Sequence, residues 1–295
     1  MADHLDRALS ADGTVRGLAA VTTDLVEEAR QRHGTLPTAT AALGRGLTAA
    51  LLLGGLLKRG ERLSIEVSGD GPLGVLLAEA TDGGVRGFVS RPKTDLPARR
   101  GKLDVGGAVG RGILCVMRVP PTPGPPYRSI VPLVSGEIGV DVARYLVDSE
   151  QTPSVVGVGV WVGPDGRVGA AGGYLLQAMP GASDDAIGRL EENVAAAPTP
   201  SELVRDGLDA SAILGRLMRG LEPRDPERRP VTYRCRCSQR RALGACVAMG
   251  REELQRVLAS DRRADVVCEF CGERYEVGED ALREILDGGS PGSGS

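Results

Sequence analysis

Five of the six cysteines of this 295-residue chain fall within its last sixty-five residues, and that crowding constrains the fold more than any other feature. Cys235, Cys237, Cys246, Cys268 and Cys271 follow a long body in which Cys115 stands alone. The disulfide framework of a secreted domain is spread along a short chain. A large body with a thiol-rich end reads instead as metal or redox chemistry. Cys235-x-Cys237 and Cys268-x-x-Cys271 are two close pairs separated by thirty residues. A tetrahedral zinc ion takes four soft ligands at about 2.3 Å, usually as two chelating pairs from separate turns. The stretch 268–272 (CEFCG) has the form of a zinc knuckle, whose final glycine permits a turn that aims backbone amides at the sulfurs. So short a segment holds a small core, and a metal then supplies much of its folding energy. Cys246, within RALGACVAMG, reads as a buried packing residue, and Cys115, within ILCVM, as core.

The spacing leaves the purpose of such a centre open. It is either an inert staple or a sensor. Arg234, Arg236, Arg240, Arg241 and Arg274 lie within a few residues of a ligand. They either offset the negative charge of four thiolates and keep them open to peroxide, or are solvated surface charges.

The body ahead of the cysteines is expected to be α+β. Aromatics make up only 3% of the chain against 41% hydrophobic residues, so aliphatics and alanine must fill the core. Branched aliphatics between Gly-containing turns suggest strands at 15–21, 63–67, 75–80, 85–89 and 113–119. Helical spacing suggests helices at 24–32, 39–58 and 135–148. The sequence GDGP at 69–72 reads as a tight turn between strands, and PPTPGPP at 120–126 as an exposed loop. His4 is expected in a mobile terminus and His33 on the surface. The longest apolar run, 47–57 (LTAALLLGGLL), is too short for a bilayer, which needs about 20 residues. The N-terminus has charges where a signal peptide needs a basic start and an apolar run, so a membrane or secreted protein is not expected.

Residues 181–230 change character. Ser183 can cap a helix with Asp184 and Asp185 in its first turn and Ile187, Leu190 and Val194 along one side. Pro198 and Pro200 are expected to stop it, and Ser201 to cap a short helix carrying Leu203 and Val204. Asp209 or Ser211 starts a third helix with Ile213, Leu214, Leu217, Met218 and Leu221. Residues 221–230 (LEPRDPERRP) break all regularity. Isolated helices of this length are marginal in water and depend on docking. Beyond them, Ser238 can cap a helix, Leu254, Val257 and Leu258 give another a buried face, and 288–295 reads as a flexible tail.

The two cysteine pairs, together with EARQRH before residue 34, SGDGPLGVLLAEA at 68–80, SEQTP at 149–153 and GGYLLQAMP at 172–180, resemble the redox-regulated heat-shock protein 33 family of bacterial chaperones. The resemblance runs to about residue 287. It implies an α+β core domain with packed sheets over 1–180, a metastable helical linker over 181–230, a four-cysteine zinc redox-switch domain over 231–287 and a tail over 288–295. It implies a cytoplasmic, ATP-independent holdase rather than an enzyme, inactive while one Zn2+ sits on Cys235, Cys237, Cys268 and Cys271. Oxidation would then pair Cys235 with Cys237 and Cys268 with Cys271, expel zinc, unfold the linker and expose surface for unfolded client proteins. Ile187, Leu190, Val194, Leu203, Ile213, Leu214 and Leu217 are the client-binding candidates. A monomer when reduced and a homodimer when oxidised are expected.

Two other classes remain to be weighed. A nucleic-acid or ribosome-associated zinc ribbon needs a basic face, but residues 231–295 carry 10 basic against 11 acidic side chains, and no segment is strongly basic. A thiol oxidoreductase would place Cys268-x-x-Cys271 between a strand and a helix of a βαβ unit, and no Ser/His/Asp set or paired carboxylates stand out. Neither nucleic acid nor membrane is expected as a partner.

Overall fold

The computed structural model of the chain describes residues 1–81 and 84–287, with the backbone alone at residue 225; the tail at 288–295 lies outside the described residues. The chain divides into two compact units, Met1–Arg234 and Cys235–Ser295.

In the first unit, β1 (His4–Leu9) and β2 (Val15–Val21) form a hairpin ahead of α1 (Thr23–His33) and α2 (Pro37–Gly54). Next come β3 (Arg62–Gly69), β4 (Val75–Thr81) and β5 (Gly84–Val89), then the short α3 (Val105–Val109). β6 (Gly112–Val119) and β7 (Tyr127–Pro132) are joined by the exposed proline-rich loop, and α4 (Gly139–Asp148) leads to the hairpin of β8 (Ser154–Val162) and β9 (Val168–Ala178). Three helices, α5 (Asp184–Ala195), α6 (Pro200–Arg205) and α7 (Ala210–Leu217), precede β10 (Arg224–Pro230) and β11 (Thr232–Tyr233). One sheet has the order β10-β1-β2-β9-β8 and the other β11-β5-β4-β3-β6-β7. Neighbours are antiparallel except for β11 on β5.

Helix α2 accounts for the aliphatic, aromatic-poor composition. It touches β3, β4 and β5 of one sheet and β2, β8 and β9 of the other, and fifteen of its residues are buried. A helix covered on all sides is apolar all round rather than striped. Its glycines set how closely the layers approach. A Cβ at Gly44 would lie 2.5 Å from Val26 Cγ1 and 2.7 Å from Val160 Cγ2, and one at Gly46 would lie 2.5 Å from Leu76 Cδ2. The helix expected at 39–58 ends at Gly54. The one expected at 135–148 begins only at Gly139, because the Asp141 carboxylate accepts hydrogen bonds from the Val134, Ser135 and Ile138 amides and holds a turn there.

Glu27 ties α1 to the start of β9. It accepts from Arg30 at 2.7 Å and from the Val168 amide at 3.0 Å, and the Arg30 hydrogen bonds pull its carboxyl from 4.5 down to about 2. A folded value below the ordinary one contributes stability that is present above pH 4.5 and lost as the pH falls toward 2. Glu27→Gln is therefore expected to lower the urea midpoint at pH 7, with the gap to wild type narrowing at about pH 3. An equal gap at both pH values would contradict this.

Two expectations for the first unit need correction. His4 is not in a mobile terminus: it lies in β1, 5% exposed, its Nδ1 donating to Ala2 O at 2.8 Å while Nε2 accepts from the Ala210 amide at 3.2 Å. Residues 221–230 are not wholly irregular, since β10 pairs with β1 from His4↔Pro230 to Arg7↔Glu227. An edge strand tolerates its prolines because one side of the ladder is open. His33 is half-buried, its Nε2 lying 3.3 Å from the Tyr233 hydroxyl.

Residues 181–230 pack within the first unit. Ser183 caps α5, accepting from Ala186 N at 3.2 Å. Thr199, rather than Ser201, caps α6; the Glu202 carboxylate accepts from the Thr199 amide at 2.9 Å. Pro200 thus starts a helix instead of ending one, because the first helical position needs no N–H. Asp209 caps α7 through Ala212 N at 2.8 Å. Leu190, Leu203, Ile213, Leu214 and Leu217 are at most 5% exposed, packed with Met218 against Ala8, Val15, Ala19, Tyr174 and Leu176. Ile187 and Val194 are half-buried. A polar tie adds to this docking. Arg228 of β10 donates to Asp6, which is buried on β1, at 2.7 Å and to Asp209 at 2.8 Å.

The second unit holds α8 (Gln239–Met249), α9 (Arg251–Ser260), the hairpin of β12 (Arg263–Val267) and β13 (Arg274–Gly278), and α10 (Glu279–Leu286). Its core is slight: Ala242, Cys246, Leu254, Ala264, Val277 and Leu282 are buried, with Val257 and Leu258 packed against them. Cys246 is a packing residue as expected, and burial pushes its thiol up.

Candidate metal centre

The hairpin brings one cysteine pair into place. Val267↔Arg274 closes the β12–β13 ladder, and the intervening turn carries Cys268 and Cys271. Within it Cys268 N donates to Glu273 O at 2.9 Å and Gly272 N to Cys268 O at 2.8 Å. Gly272 sits at φ +72°, a conformation that disfavours other residues. The Phe270 and Glu273 amides point at the Cys268 and Cys271 sulfurs, which is the knuckle geometry that the CEFCG sequence predicts.

Cys235 and Cys237 approach from the extended segment ahead of α8. Ser238 caps that helix, and Gln239 Nε2 donates to Glu276 O at 2.9 Å, fixing the segment against β13. The ligand atoms of Cys235, Cys237, Cys268 and Cys271 all lie within 4.8 Å of one another. Sγ of Cys235 is 3.7 Å from that of Cys268, and Sγ of Cys237 is 3.3 Å from that of Cys271. Ligands at 2.3 Å from a tetrahedral zinc ion stand about 3.8 Å apart. All four are free thiols, and the donor set is wholly sulfur, so the residues fit a zinc ion. Bound there, the ion would supply positive charge that stabilises thiolates and a covalent cross-link between hairpin and helix.

Burial is the largest influence on Cys268 and Cys271 and pushes both thiols up, with the other sulfurs and backbone amides acting next. The group missed from sequence is Tyr275, whose hydroxyl donates to Cys237 Sγ at 3.0 Å. An aromatic residue on the strand leaving the knuckle was the available signal. The Cys268-x-x-Cys271 turn joins two antiparallel strands instead of leading from a strand into a helix, which is not the thioredoxin arrangement. Among the described residues no helix is long and apolar enough to cross a membrane.

The chain is similar to known proteins over nearly its whole length. A family model described as Hsp33 protein matches residues 3–278. The 33 kDa chaperonin of Symbiobacterium thermophilum is 47% identical over 291 residues, covering 98% of both chains. That of Acaryochloris marina is 45% identical, covering 97% of both. Among solved structures, the crystal structure of the 33 kDa chaperonin of Thermotoga maritima superposes with a TM-score of 0.91 at 34% identity, covering 97% of this chain and 98% of that one.

Proposed function

This chain belongs to the Hsp33 protein family, and from that premise we propose that it is a redox-switched, ATP-independent holdase of the cytoplasm. One Zn2+ on Cys235, Cys237, Cys268 and Cys271 keeps it inactive. The observation that carries this reading is the convergence of four free thiols within 4.8 Å in a unit whose buried core is small, the setting in which a metal adds most to folding. Peroxide oxidises the sulfurs. Each disulfide formed gives two electrons to one peroxide, which with two protons leaves as two waters, and the zinc ion departs unchanged in charge. The second unit then loses its cross-link. Residues 181–230 undock with it, freeing Leu190, Leu203, Ile213, Leu214 and Leu217, with Ile187 and Val194 beside them, to hold unfolded clients. The oxidised protein forms a homodimer.

The proposed disulfides pair Cys235 with Cys237 and Cys268 with Cys271, within each motif. The distances in the zinc-competent arrangement are short across the motifs as well, so peptide mapping of oxidised protein discriminates. Linkage of 235 to 268 and 237 to 271 would refute the pairing.

The functional test is light scattering of a chemically unfolded client diluted into buffer. Reduced, zinc-loaded protein is expected to leave aggregation unchanged, and peroxide-treated protein to suppress it as zinc is liberated. Full suppression by the reduced form would make it a constitutive holdase. A more local prediction concerns Tyr275. Tyr275→Phe removes the hydrogen bond to Cys237, and partners outside the ligand set are worth about 10- to 100-fold in metal affinity. Zinc transfer to a chromogenic chelator is expected to speed up accordingly; an unchanged rate would show that the hydroxyl is idle.

A further inference from the structure

A cleft in the first unit serves neither the metal centre nor the docking of 181–230. Its volume is about 990 Å³, and Arg45, Arg99, Arg100, Lys102 and Arg111 line it together with Asp70, Asp104 and Glu137. We propose that it is a binding site for an oligophosphate chain, whose oxygens are held by Arg99, Arg100, Lys102 and Arg111.

The carboxylates in the lining are already engaged. Asp70 accepts from the Arg111 amide at 2.7 Å and Asp104 from the Gly107 amide at 2.9 Å, while Glu137 pairs with Arg45 and accepts from the Gly106 amide at 3.3 Å. Arg99, Arg100, Lys102 and Arg111 are exposed, and among the described residues none of the four forms an ion pair within the protein. Five cationic side chains against three carboxylates leave the lining with a formal charge of about +2 in a chain of net charge −3, and positive charge gathered in one concave place draws anions.

The turn that presents three of these cations is built at a cost. Arg99 N donates to Lys102 O at 2.8 Å and Lys102 N to Arg99 O at 3.1 Å, closing a two-residue loop. Arg100 and Gly101 sit at φ +52° and +74°. Such a turn favours Asn, Asp or Gly at its first central position. An arginine there spends backbone energy in a turn whose neighbours Arg99 and Lys102 also line the cleft. Three arginines also suit phosphate, since guanidinium forks bind paired oxygens where an ammonium acts as a point charge. The lining contains no Phe, Tyr or Trp. Nucleobases, which bind through stacking on aromatic platforms, have nothing to rest on, so the phosphates are the recognised part.

The site is tested by calorimetric titration of reduced, zinc-loaded, full-length protein with sodium tripolyphosphate, ATP and inorganic phosphate. Saturable binding of tripolyphosphate is expected, tighter than that of either other probe. It should weaken by at least about tenfold in the Arg99→Glu/Arg100→Glu variant, and as NaCl rises from about 50 to about 200 mM. Arg111→Glu, on a separate segment, should weaken it too. Circular dichroism and zinc content verify that each variant is folded. Affinity unchanged in folded variants would overturn the proposal. So would tighter binding of ATP, or of an RNA oligonucleotide with equal phosphates, since either would mean base recognition. Because the titration reads the reduced protein without oxidant or client, its outcome is independent of the holdase reading.

Discussion

Cys271→Ser is expected to destroy the order of the second unit while leaving the two sheets of the first intact. Cys271 is 3% exposed and lies in the knuckle between β12 and β13. Structural zinc binding is worth roughly 10–16 kcal/mol of apparent folding energy, and no other feature of this unit approaches that. Its buried apolar set is Ala242, Cys246, Leu254, Ala264, Val277 and Leu282, half of them alanine or cysteine. Losing one thiolate ligand costs more than losing a partner outside the ligand set, so zinc affinity should fall by well over about 100-fold. Metal analysis after dialysis against a moderate chelator should find about one zinc per wild-type chain and almost none in the variant. The amides of α8, α9 and α10 should exchange rapidly, while those of α2 stay protected. Retention of zinc, or protected helices without it, would mean that apolar packing alone holds the unit.

Gly17→Val should have the second-largest effect, and its target is the docked 181–230 segment. Gly17 on β2 faces α7 so closely that a Cβ there would lie 2.6 Å from Met218 Sδ and 2.8 Å from Leu214 Cδ2. Overfilling a packed contact costs about 1–3 kcal/mol, a factor of roughly 5 to 150 in the docking equilibrium. Exchange of the α7 amides in reduced, zinc-loaded protein should accelerate within that range, and some holdase activity should appear without oxidant. Arg228→Ala should act in the same direction from the other side, since it leaves Asp6, 1% exposed, without its principal partner. Unchanged α7 protection in Gly17→Val would show that this packing does not restrain the segment.

The contrast between these two regions explains what can be read from a sequence. The four-cysteine cluster is legible because its information is local. Two cysteines with one residue between them, two more with two between them, and a glycine at positive φ after the last mark a candidate zinc knuckle without knowledge of the rest of the chain. The caps Ser183 and Ser238 are legible for the same reason, and that of α7 is narrowed to Asp209 or Ser211, of which the structure has Asp209. What 181–230 packs against is not, because Leu214 and Met218 meet Gly17 from far along the chain. β10 escapes notice because RDPERRP has no apolar alternation and becomes a strand only by pairing with β1. His4 likewise acquires its buried role from Ala210, 206 residues away. Tyr275 and the 99–102 turn look like ordinary polar surface until the hairpins that carry them are folded.

The measurement that bears most directly on the switch is amide hydrogen exchange, taken alongside zinc release, on protein before and after peroxide. As zinc leaves, exchange across α5, α6, α7 and β10 is expected to rise toward the unprotected rate while α2 and the β3–β4 ladder remain slow. Zinc lost with α5–α7 as protected as before, or zinc retained in protein that already holds clients, would contradict the proposed coupling of metal release to undocking.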